Sequence, residues 1–187
     1  IPEEWEVVRL EEIAATSAGG TPSRSDPGNY NGGILWVKSG EVDNPWIEST
    51  EETISQAGLS ASSARWVEPG SVLVAMYGAT AGRVGRLGVR AATNQAVCAI
   101  SAHSGRVTND FLYWFLSASA AALVRNCQGS GQPNLNAGML RSLLVGLPNA
   151  VEQRCICEGL GAVGRRISVE SLVQRRLSDV KAALMSV

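Results

Sequence analysis

The C-terminal segment from Asn149 onward carries an apolar repeat that few folds can accommodate. Apolar residues recur at intervals of 4, 3 and 4 positions in two sets: Ile156, Leu160, Val163 and Ile167, then Val173, Leu177, Val180 and Leu184. This spacing predicts one helix of roughly 35 residues or more with a long apolar stripe. Asn149 and Glu152 form a variant of the capping box and predict where the helix begins.

We expect this helix to pair with another helix, in a neighbouring chain or in a second copy, because so small a domain cannot bury its stripe. Ten positions separate Val163 from Val173, so the heptad slips by three residues. Gly159, Gly161 and Gly164 each weaken the helix by roughly 1 kcal/mol relative to Ala, which favours a partner that packs closely against the glycines. The alternative is a helix folded back onto its own domain.

The segment before this helix is predicted to form one globular domain. Short apolar runs predict strands at residues 6–10, 34–37, 71–76, 83–89, 96–100 and 143–147. Helical turns are predicted at 11–15 and 55–64, a helix from Thr108 or Asn109 to about Cys127, and a long polar loop at 16–33. The predicted fold class is α+β: a globular domain over residues 1–148, with a twisted, mostly antiparallel β-sheet and flanking helices, then a long C-terminal coiled-coil helix over 149–187.

The net charge of −1 conceals an uneven distribution. Residues 1–70 carry 12 acidic and 4 basic side chains, whereas residues 71–150 carry 6 arginines and one acid, Asp110. Residues 151–187 carry 6 basic and 4 acidic side chains. A near-neutral total argues against strong non-specific DNA binding. The arginine-bearing middle segment permits a local basic face, and arginines scattered over the surface are an equal alternative.

The chain lacks the residue patterns of the common enzyme classes. His103 is the only histidine, no serine lies in a Gly-x-Ser-x-Gly context, and no Asn-Pro-Pro-Tyr type of motif is present. Cys155 and Cys157 would point to different faces of the predicted helix, so they do not indicate a metal site. We therefore expect a chain with no catalytic residue and no bound metal.

The remaining bulk properties indicate a soluble, cytoplasmic protein. Its four cysteines are irregularly spaced and do not predict a disulfide framework. No apolar run approaches the roughly 20 residues of a membrane span. Because the first residue is Ile1 rather than Met, we expect the natural chain to begin further upstream.

Over nearly its whole length, the sequence resembles the specificity subunits of type I restriction–modification enzymes. The resemblance rests on I-P-E-E-W at residues 1–5, G-T-P-S at 20–23, I-L-W-V-K-S-G-E at 34–41, V-A-M-Y-G-A-T at 74–80, T-N-Q-A at 93–96, Q-P-N-L at 132–135, and Leu147-Pro148 followed by Glu152-Gln153. Each motif is weak alone, but their order and spacing are specific.

The resemblance implies a non-catalytic subunit whose target recognition domain reads one half-site of double-stranded DNA. It also implies modification subunits that bind S-adenosylmethionine and methylate adenine, and a restriction subunit that hydrolyses ATP and uses Mg²⁺. This chain would bind no cofactor itself, and its helix would act as a spacer. The family pattern has two recognition domains and two helices, whereas this chain has one of each, so it is a natural half-subunit or a fragment.

The length of the predicted helix suggests how two copies would be arranged. A helix of about 36 residues spans roughly 54 Å, whereas half-sites one DNA turn apart are roughly 34–36 Å apart. Two copies with antiparallel helices would place two recognition domains on the same side of a duplex. We therefore expect a homodimer through the C-terminal helix, which reads a split palindrome.

The candidate DNA-contacting residues lie in polar or glycine-rich turns. They are Thr21, Ser23, Arg24, Lys38, Ser39, Tyr77, Thr80, Arg83, Arg86, Gln132 and Asn134. Arginine can bridge guanine O6 and N7, and glutamine or asparagine suits the adenine edge. The alternative for each is a purely structural role in its turn. We favour DNA contact for Arg83 and Lys38, and helix capping for Asn136.

Two other functions remain open. The chain could be the target recognition module of a single-chain type II restriction–methylation enzyme, in which case an Asn-Pro-Pro-Tyr motif would lie upstream of Ile1. It could also be a structural coiled-coil adaptor, which would protect no DNA when assembled with a methylase.

Overall fold

The computed structural model describes residues 2–42, 45–126 and 135–185. The described residues form eleven strands and five helices in the order β1 Glu6–Arg9, α1 Leu10–Ile13, β2 Ala14–Ala18, β3 Tyr30–Val37, β4 Trp46–Ile47, β5 Thr53–Ile54, α2 Gln56–Ser60, β6 Trp66–Val67, β7 Val72–Ala75, β8 Val84–Leu87, β9 Ala91–Thr93, β10 Val97–Ala102, α3 Asn109–Asn126, α4 Ala137–Arg141, β11 Leu144–Leu147 and α5 Ala150–Met185.

These strands form three sheets rather than one. The largest has the order β2-β10-β7-β8-β4, and the second has the order β5-β3-β9-β6. The third sheet is the pair β1-β11. Most neighbours are antiparallel, whereas β3 with β9 and β4 with β8 are parallel. The α+β class and the mostly antiparallel pairing are therefore confirmed.

The main core of the domain lies between the largest sheet and α3, and a second cluster packs against the other face of β7. All four residues of β7 are buried, as expected for an apolar, β-branched run in the middle of a sheet. Phe111, Leu112 and Leu116 of α3 are also buried and pack in the same cluster. The Thr108 hydroxyl accepts a hydrogen bond from the Phe111 backbone N–H at 3.2 Å, so the predicted cap of this helix is present.

Five strands occur where the sequence predicted none: β2, β4, β5, β6 and β9. Ala14 and Ala15 were predicted to be helical and residues 16–18 to lie in a loop, but β2 pairs antiparallel with β10 from Ala102↔Ala14 to Cys98↔Ala18. β9 pairs with both β3 and β6. Small residues have weak local preference for a strand, so pairing with distant neighbours decides the outcome.

The C-terminal helix α5 has 36 residues and begins where the sequence predicted. The Asn149 side-chain oxygen accepts hydrogen bonds from the backbone N–H groups of Val151 and Glu152, both at 3.0 Å. The Asn149 side-chain amide donates to the Glu152 carboxylate at 2.9 Å. The capping pair therefore satisfies two backbone donors of the first turn.

The first turns of α5 pack against the domain. Ile156 packs against the main core, and Gln153 is only 2% exposed. A Cβ placed on Gly164 would lie 3.5 Å from the Trp114 ring of α3, so this glycine faces its own domain rather than another chain. Nothing lies within 4 Å of a Cβ placed on Gly159.

Further along α5 the apolar side chains are exposed to solvent. Exposed fractions run from 42% to 63% for Leu160, Val163, Ile167, Val173, Leu177 and Val180. The helix is thus folded against its domain only at its beginning. Among the described residues, no helix is long and apolar enough to cross a lipid bilayer.

Candidate nucleic-acid interface

Loops from four strand ends meet at one end of the two larger sheets. The backbone N–H of Gly20, just after β2, donates to the Thr93 carbonyl at 3.0 Å. The N–H of Asn94 donates to Val37 at the end of β3, at 2.9 Å, and that of Met76 donates to Ala96 at 2.8 Å. We call this end the loop edge and define it as residues 19–24, 38–39, 63–65, 76–83 and 93–96.

Two adjacent glycines allow these loops to approach one another. A Cβ on Gly19 would lie 2.0 Å from the Thr93 carbonyl oxygen. A Cβ on Gly20 would lie 2.4 Å from the backbone nitrogen of Ala64. Contacts this short are not tolerated, so the Gly-Gly pair is what brings the end of β2 against the loops that flank β9 and β6.

Most of the predicted DNA-contacting residues come together at the loop edge. Eight of them lie there, although they span more than sixty positions of sequence: Thr21, Ser23, Arg24, Lys38, Ser39, Tyr77, Thr80 and Arg83. Tyr77 is 39% exposed and Arg83 is exposed. The described structure thus presents eight of the eleven candidates on one surface.

The turn between β7 and β8 is exposed at this surface and has a defined backbone. The N–H of Gly82 donates to the Ala75 carbonyl at 2.8 Å, and the N–H of Arg83 donates to Thr80 at 2.9 Å. Gly78 and Gly82 adopt positive φ angles of 74° and 83°, which only glycine adopts without strain. The turn therefore holds Tyr77 and Thr80 in fixed positions.

Arg24 and Lys38 lie in an ion-pair cluster with two acidic residues of the loop before β5. The Arg24 guanidinium is 2.7 Å from the Glu52 carboxylate. Lys38 Nζ is 2.8 Å from the carboxylate of Glu51 and 3.0 Å from that of Glu52. The Arg24 guanidinium also stacks on the Tyr30 ring, 4.3 Å from its centre.

The cluster changes the proton affinity of its members. Hydrogen bonds from Arg24 and Lys38 lower the pKa of Glu52 from 4.5 to about 2. The hydrogen bond to Glu52 raises the pKa of Arg24, and those to Glu51 and Glu52 raise the pKa of Lys38. Both cations are therefore already paired, and a DNA phosphate would have to replace a carboxylate to bind them.

Ser23 also takes part in the structure of its loop. Its hydroxyl lies 2.7 Å from that of Ser25, and its carbonyl accepts a hydrogen bond from the Asn29 amide at 3.0 Å. The capping interpretation of Asn136 is confirmed, because its side chain accepts a hydrogen bond from the Met139 N–H at 2.9 Å.

Gln132 and Asn134 lie outside the described residues. Leu135, the first described residue after them, is fully buried. Its N–H donates to the carbonyl of Met76 at 2.9 Å, immediately before the β7–β8 turn. This contact places the end of the Q-P-N-L motif at the loop edge.

Arg86 lies elsewhere, at the opposite end of β8. Its guanidinium is sandwiched between two rings, 4.3 Å from the centre of Trp46 and 4.2 Å from that of Tyr113. It also donates to the Asp110 carboxylate at 2.8 Å. The side chain is only 15% exposed, and it lines one end of a groove of about 1170 Å³ between α3 and the start of α5.

Sequence reasoning did not identify two exposed side chains at the loop edge. Arg65 precedes β6, and no ion pair joins it to another described residue. Gln95 is exposed in the turn between β9 and β10, and the Thr21 hydroxyl donates a hydrogen bond to its side-chain oxygen. Gln95 belongs to the T-N-Q-A motif of the resemblance, whereas Arg65 lies in none of the motifs given above.

The described residues show few other reactive groups. They contain no cluster of three or more His, Cys, Asp or Glu side chains that could hold a metal ion. Cys98 is buried, which raises the pKa of its thiol to about 11. Cys155 is exposed and Cys157 is partly buried.

Comparisons with solved structures identify the fold. A chain from work on the structural basis of complex assembly and conformational transition of the type I R-M system superposes with a TM-score of 0.74 at 18% identity, covering 90% of this chain and 40% of that chain. The HsdS subunit from Thermoanaerobacter tengcongensis gives 0.71 at 17% identity, with 90% and 39% coverage. The S subunit from M. genitalium gives 0.63 at 13% identity, with 90% and 41% coverage.

Sequence comparisons agree with the fold. The chain is 24% identical over 160 residues to the type I restriction enzyme MjaIX specificity subunit of Methanocaldococcus jannaschii, which covers 83% of this chain and 37% of that protein. It is 24% identical over 161 residues to the EcoR124I/EcoR124II specificity subunit of Escherichia coli, with 83% and 39% coverage. The chain thus spans about two fifths of the length of these curated relatives.

A family model described as "Type I restriction modification DNA specificity domain" matches residues 2–177. Because this match covers nearly the whole chain, the chain belongs to the family of type I restriction–modification DNA specificity domains.

Proposed function

We propose that this chain reads one half-site of double-stranded DNA through its loop edge and supplies sequence specificity to a type I restriction–modification complex. The observation that carries the proposal is the convergence of eight predicted contact residues from three loops on one surface. Polar and cationic side chains on rigid strand ends can combine phosphate contacts with base recognition. The catalytic chemistry, with S-adenosylmethionine, ATP and Mg²⁺, would belong to modification and restriction subunits in the cytoplasm.

We assign the roles of the contact residues from their surroundings. Tyr77, Thr80 and Arg83 on the β7–β8 turn are the proposed base-contacting residues, because this turn is exposed and backbone hydrogen bonds define its conformation. Lys38 and Arg24 are paired with carboxylates of the loop before β5, so we assign them to holding that loop against the end of β3 and the loop before β3. Arg86 is excluded from the proposed DNA surface by its position at the far end of β8.

We also propose that α5 pairs antiparallel with α5 of a second copy. The intervals along the apolar stripe are 4, 3, 4, 6, 4, 3 and 4, which read the same from either end. An antiparallel pair with its two-fold axis at Glu170 therefore matches each exposed apolar residue of the stripe with another. The pairs are Ile167 with Val173, Val163 with Leu177, and Leu160 with Val180. Ile156 packs against its own domain and lies outside this proposed contact.

A selection experiment tests DNA reading. The chain, assembled with its cognate modification subunits, is incubated with a library of duplexes that carry a randomised segment, and the bound duplexes are sequenced. Enrichment of one split sequence with two-fold symmetry is expected. Arg83→Ala should weaken binding and change the base preference at one position, whereas a uniform loss over all sequences would make Arg83 a phosphate contact. An unenriched library would overturn the proposed function.

Light scattering tests the helix pairing. A dimer is expected at tens of micromolar, and Val163→Glu should produce a monomer because it places a charge in the stripe. Val169→Glu is the matched control, since Val169 is 60% exposed but lies off the stripe on the groove side. A wild-type monomer at this concentration would overturn the homodimer.

Disulfide trapping tests the direction of pairing. In a background without Cys127, Cys155 and Cys157, Glu170→Cys should form a cross-linked dimer because two copies of residue 170 meet at the axis. Val163→Cys alone should not cross-link, whereas Val163→Cys combined with Leu177→Cys should. Efficient cross-linking by Val163→Cys alone would indicate parallel helices.

A further inference from the structure

We propose that Gln95 contacts a base at the loop edge and selects adenine at one position of the half-site, and that Thr21 holds its side-chain amide in place. This inference rests on the proposed DNA-reading function. It adds a specificity-determining residue, Gln95, and a positioning residue, Thr21.

The turn that carries Gln95 is fixed by three neighbouring elements. The N–H of Asn94 donates to the Val37 carbonyl of β3 at 2.9 Å, and the N–H of Met76 after β7 donates to Ala96 at 2.8 Å. Within the turn, the Asn94 side-chain oxygen accepts a hydrogen bond from the Ala96 N–H at 3.0 Å. Thr93 and Val97 on either side are 1% and 0% exposed. Gln95 is therefore an exposed side chain on a rigid base, which base reading requires.

Thr21 restricts the Gln95 side chain itself. Its hydroxyl donates to the Gln95 side-chain oxygen, across 74 positions of sequence. The loop of Thr21 is anchored by the hydrogen bond from Gly20 to Thr93 at 3.0 Å and by that from the Tyr30 hydroxyl to the Pro22 carbonyl at 2.6 Å. Because both partners are exposed and water competes for them, this hydrogen bond adds little to stability. Its main effect is to orient the amide.

The oriented amide matches the major-groove edge of adenine. A glutamine can donate from Nε2 to adenine N7 while its Oε1 accepts from the N6 amino group. Thr21 occupies one lone pair of Oε1, and no other described residue bonds to the second lone pair or to the Nε2 hydrogens. No other base presents an acceptor and a donor side by side on its major-groove edge.

Selection from randomised duplexes, with the chain assembled with its modification subunits, tests this assignment. At one position of the half-site, wild type should prefer adenine by about ten- to a hundredfold. Gln95→Ala should lose this preference and keep the others. Gln95→Glu should move the preference towards cytosine, whose N4 amino group donates to a carboxylate. Gln56→Ala on α2 removes an exposed glutamine away from the loop edge and should change nothing.

Thr21→Val distinguishes positioning from simple structural support. It should reduce the adenine preference at the same position without changing the preferred base. In the double variant with Gln95→Ala, it should add nothing to the effect of Gln95→Ala alone. A Gln95→Ala variant with the wild-type base preference at every position would overturn the inference and leave the proposed function standing. A wild-type complex that selects no sequence would overturn both.

Discussion

Lys38 Nζ lies 3.0 Å from the carboxylate of Glu52, and this ion pair joins the end of β3 to the loop before β5. The same carboxylate binds the Arg24 guanidinium at 2.7 Å. Glu52 thus connects the two cations that the sequence assigned to DNA. We therefore assign Glu52 the role of organising the loop edge. Arg24 and Lys38 are less suited to binding phosphate, because Glu52 already pairs with both.

Glu52→Gln should make the stability of the protein less sensitive to acid. The pKa of Glu52 is lowered from 4.5 to about 2, so its contribution is present above about pH 4.5 and is lost as the pH falls towards 2. The variant should be slightly less stable than wild type at pH 7, by less than about 1 kcal/mol because the pairs lie at the surface. Urea unfolding between pH 7 and pH 2 measures the effect.

The control for this prediction is Glu3→Gln. Glu3 is exposed, and no ion pair joins it to another described residue. Its removal should leave the pH dependence close to that of wild type. Parallel pH profiles for Glu52→Gln and wild type would show that the carboxylate does not stabilise the cluster.

Arg86→Ala should destabilise the fold and leave the base preference of the assembled complex unchanged. The substitution removes a cation from between the Trp46 and Tyr113 rings and breaks its hydrogen bond to Asp110. Two cation–π contacts of this kind imply a loss of about 2 kcal/mol in the free energy of unfolding. Urea denaturation measures the loss.

Arg86→Lys tests whether the planar group matters. Lysine retains the charge but cannot stack between two rings, so about half of the loss should remain. If either variant instead keeps wild-type stability and changes base preference, Arg86 belongs to the DNA surface after all.

Arg83 and Arg86 show what the sequence could and could not predict. The motifs around them predicted the β7–β8 turn and the strand that follows it, and both are present. Arg86, however, follows Arg83 by three residues in a strand, so it lies roughly 10 Å further along β8, away from the loop edge. Its neighbours Trp46 and Asp110 come from distant segments, and only the pairing of β4 with β8 and the packing of α3 bring them together.

The same reasoning explains the elements that were missed. β7 and α5 have strong apolar periodicities, which local sequence reveals. β2 and β9 consist largely of alanine, threonine and serine, so their strand character depends on pairing with β10, β3 and β6. Gln95 and Arg65 acquire a position at the loop edge only through those pairings.

Arg65→Ala should weaken DNA binding by a similar factor for all sequences. Arg65 is exposed at the loop edge without an ion pair to another described residue, and it suits a phosphate contact. Loss of one such contact should reduce the slope of the logarithm of affinity against the logarithm of salt concentration by about 1. Titrations of the assembled complex at several salt concentrations measure this slope.

Arg90→Ala is the matched control for Arg65. Arg90 is also exposed, but it lies at the opposite end of the same sheet, where it pairs with Glu68 at 2.9 Å and stacks on Trp66. It should leave the salt slope unchanged. Equal effects of the two variants would mean that DNA binding senses only net charge and that the loop edge has no special role.

Gln153→Ala should loosen the junction between the domain and α5. The buried Gln153 amide donates to the carbonyls of Arg106 at 2.9 Å and Pro148 at 3.0 Å, and its oxygen accepts from the Thr108 N–H at 3.3 Å. Alanine leaves these backbone groups without their partner, which costs about 2–4 kcal/mol of unfolding free energy. Urea denaturation measures the loss, and Arg154→Ala, at the next exposed position, should change stability by less than about 0.5 kcal/mol.

Gln153→Glu separates hydrogen bonding from side-chain volume at this junction. A carboxylate cannot donate to the carbonyls of Arg106 and Pro148, and its burial carries an unpaired charge into the core. At pH 7 the loss should be at least as large as that of Gln153→Ala. Part of the lost unfolding free energy should be regained on acidification, because a protonated glutamic acid provides one hydrogen-bond donor. A Gln153→Glu variant as stable as wild type at pH 7 would mean that water, rather than Gln153, satisfies these backbone groups.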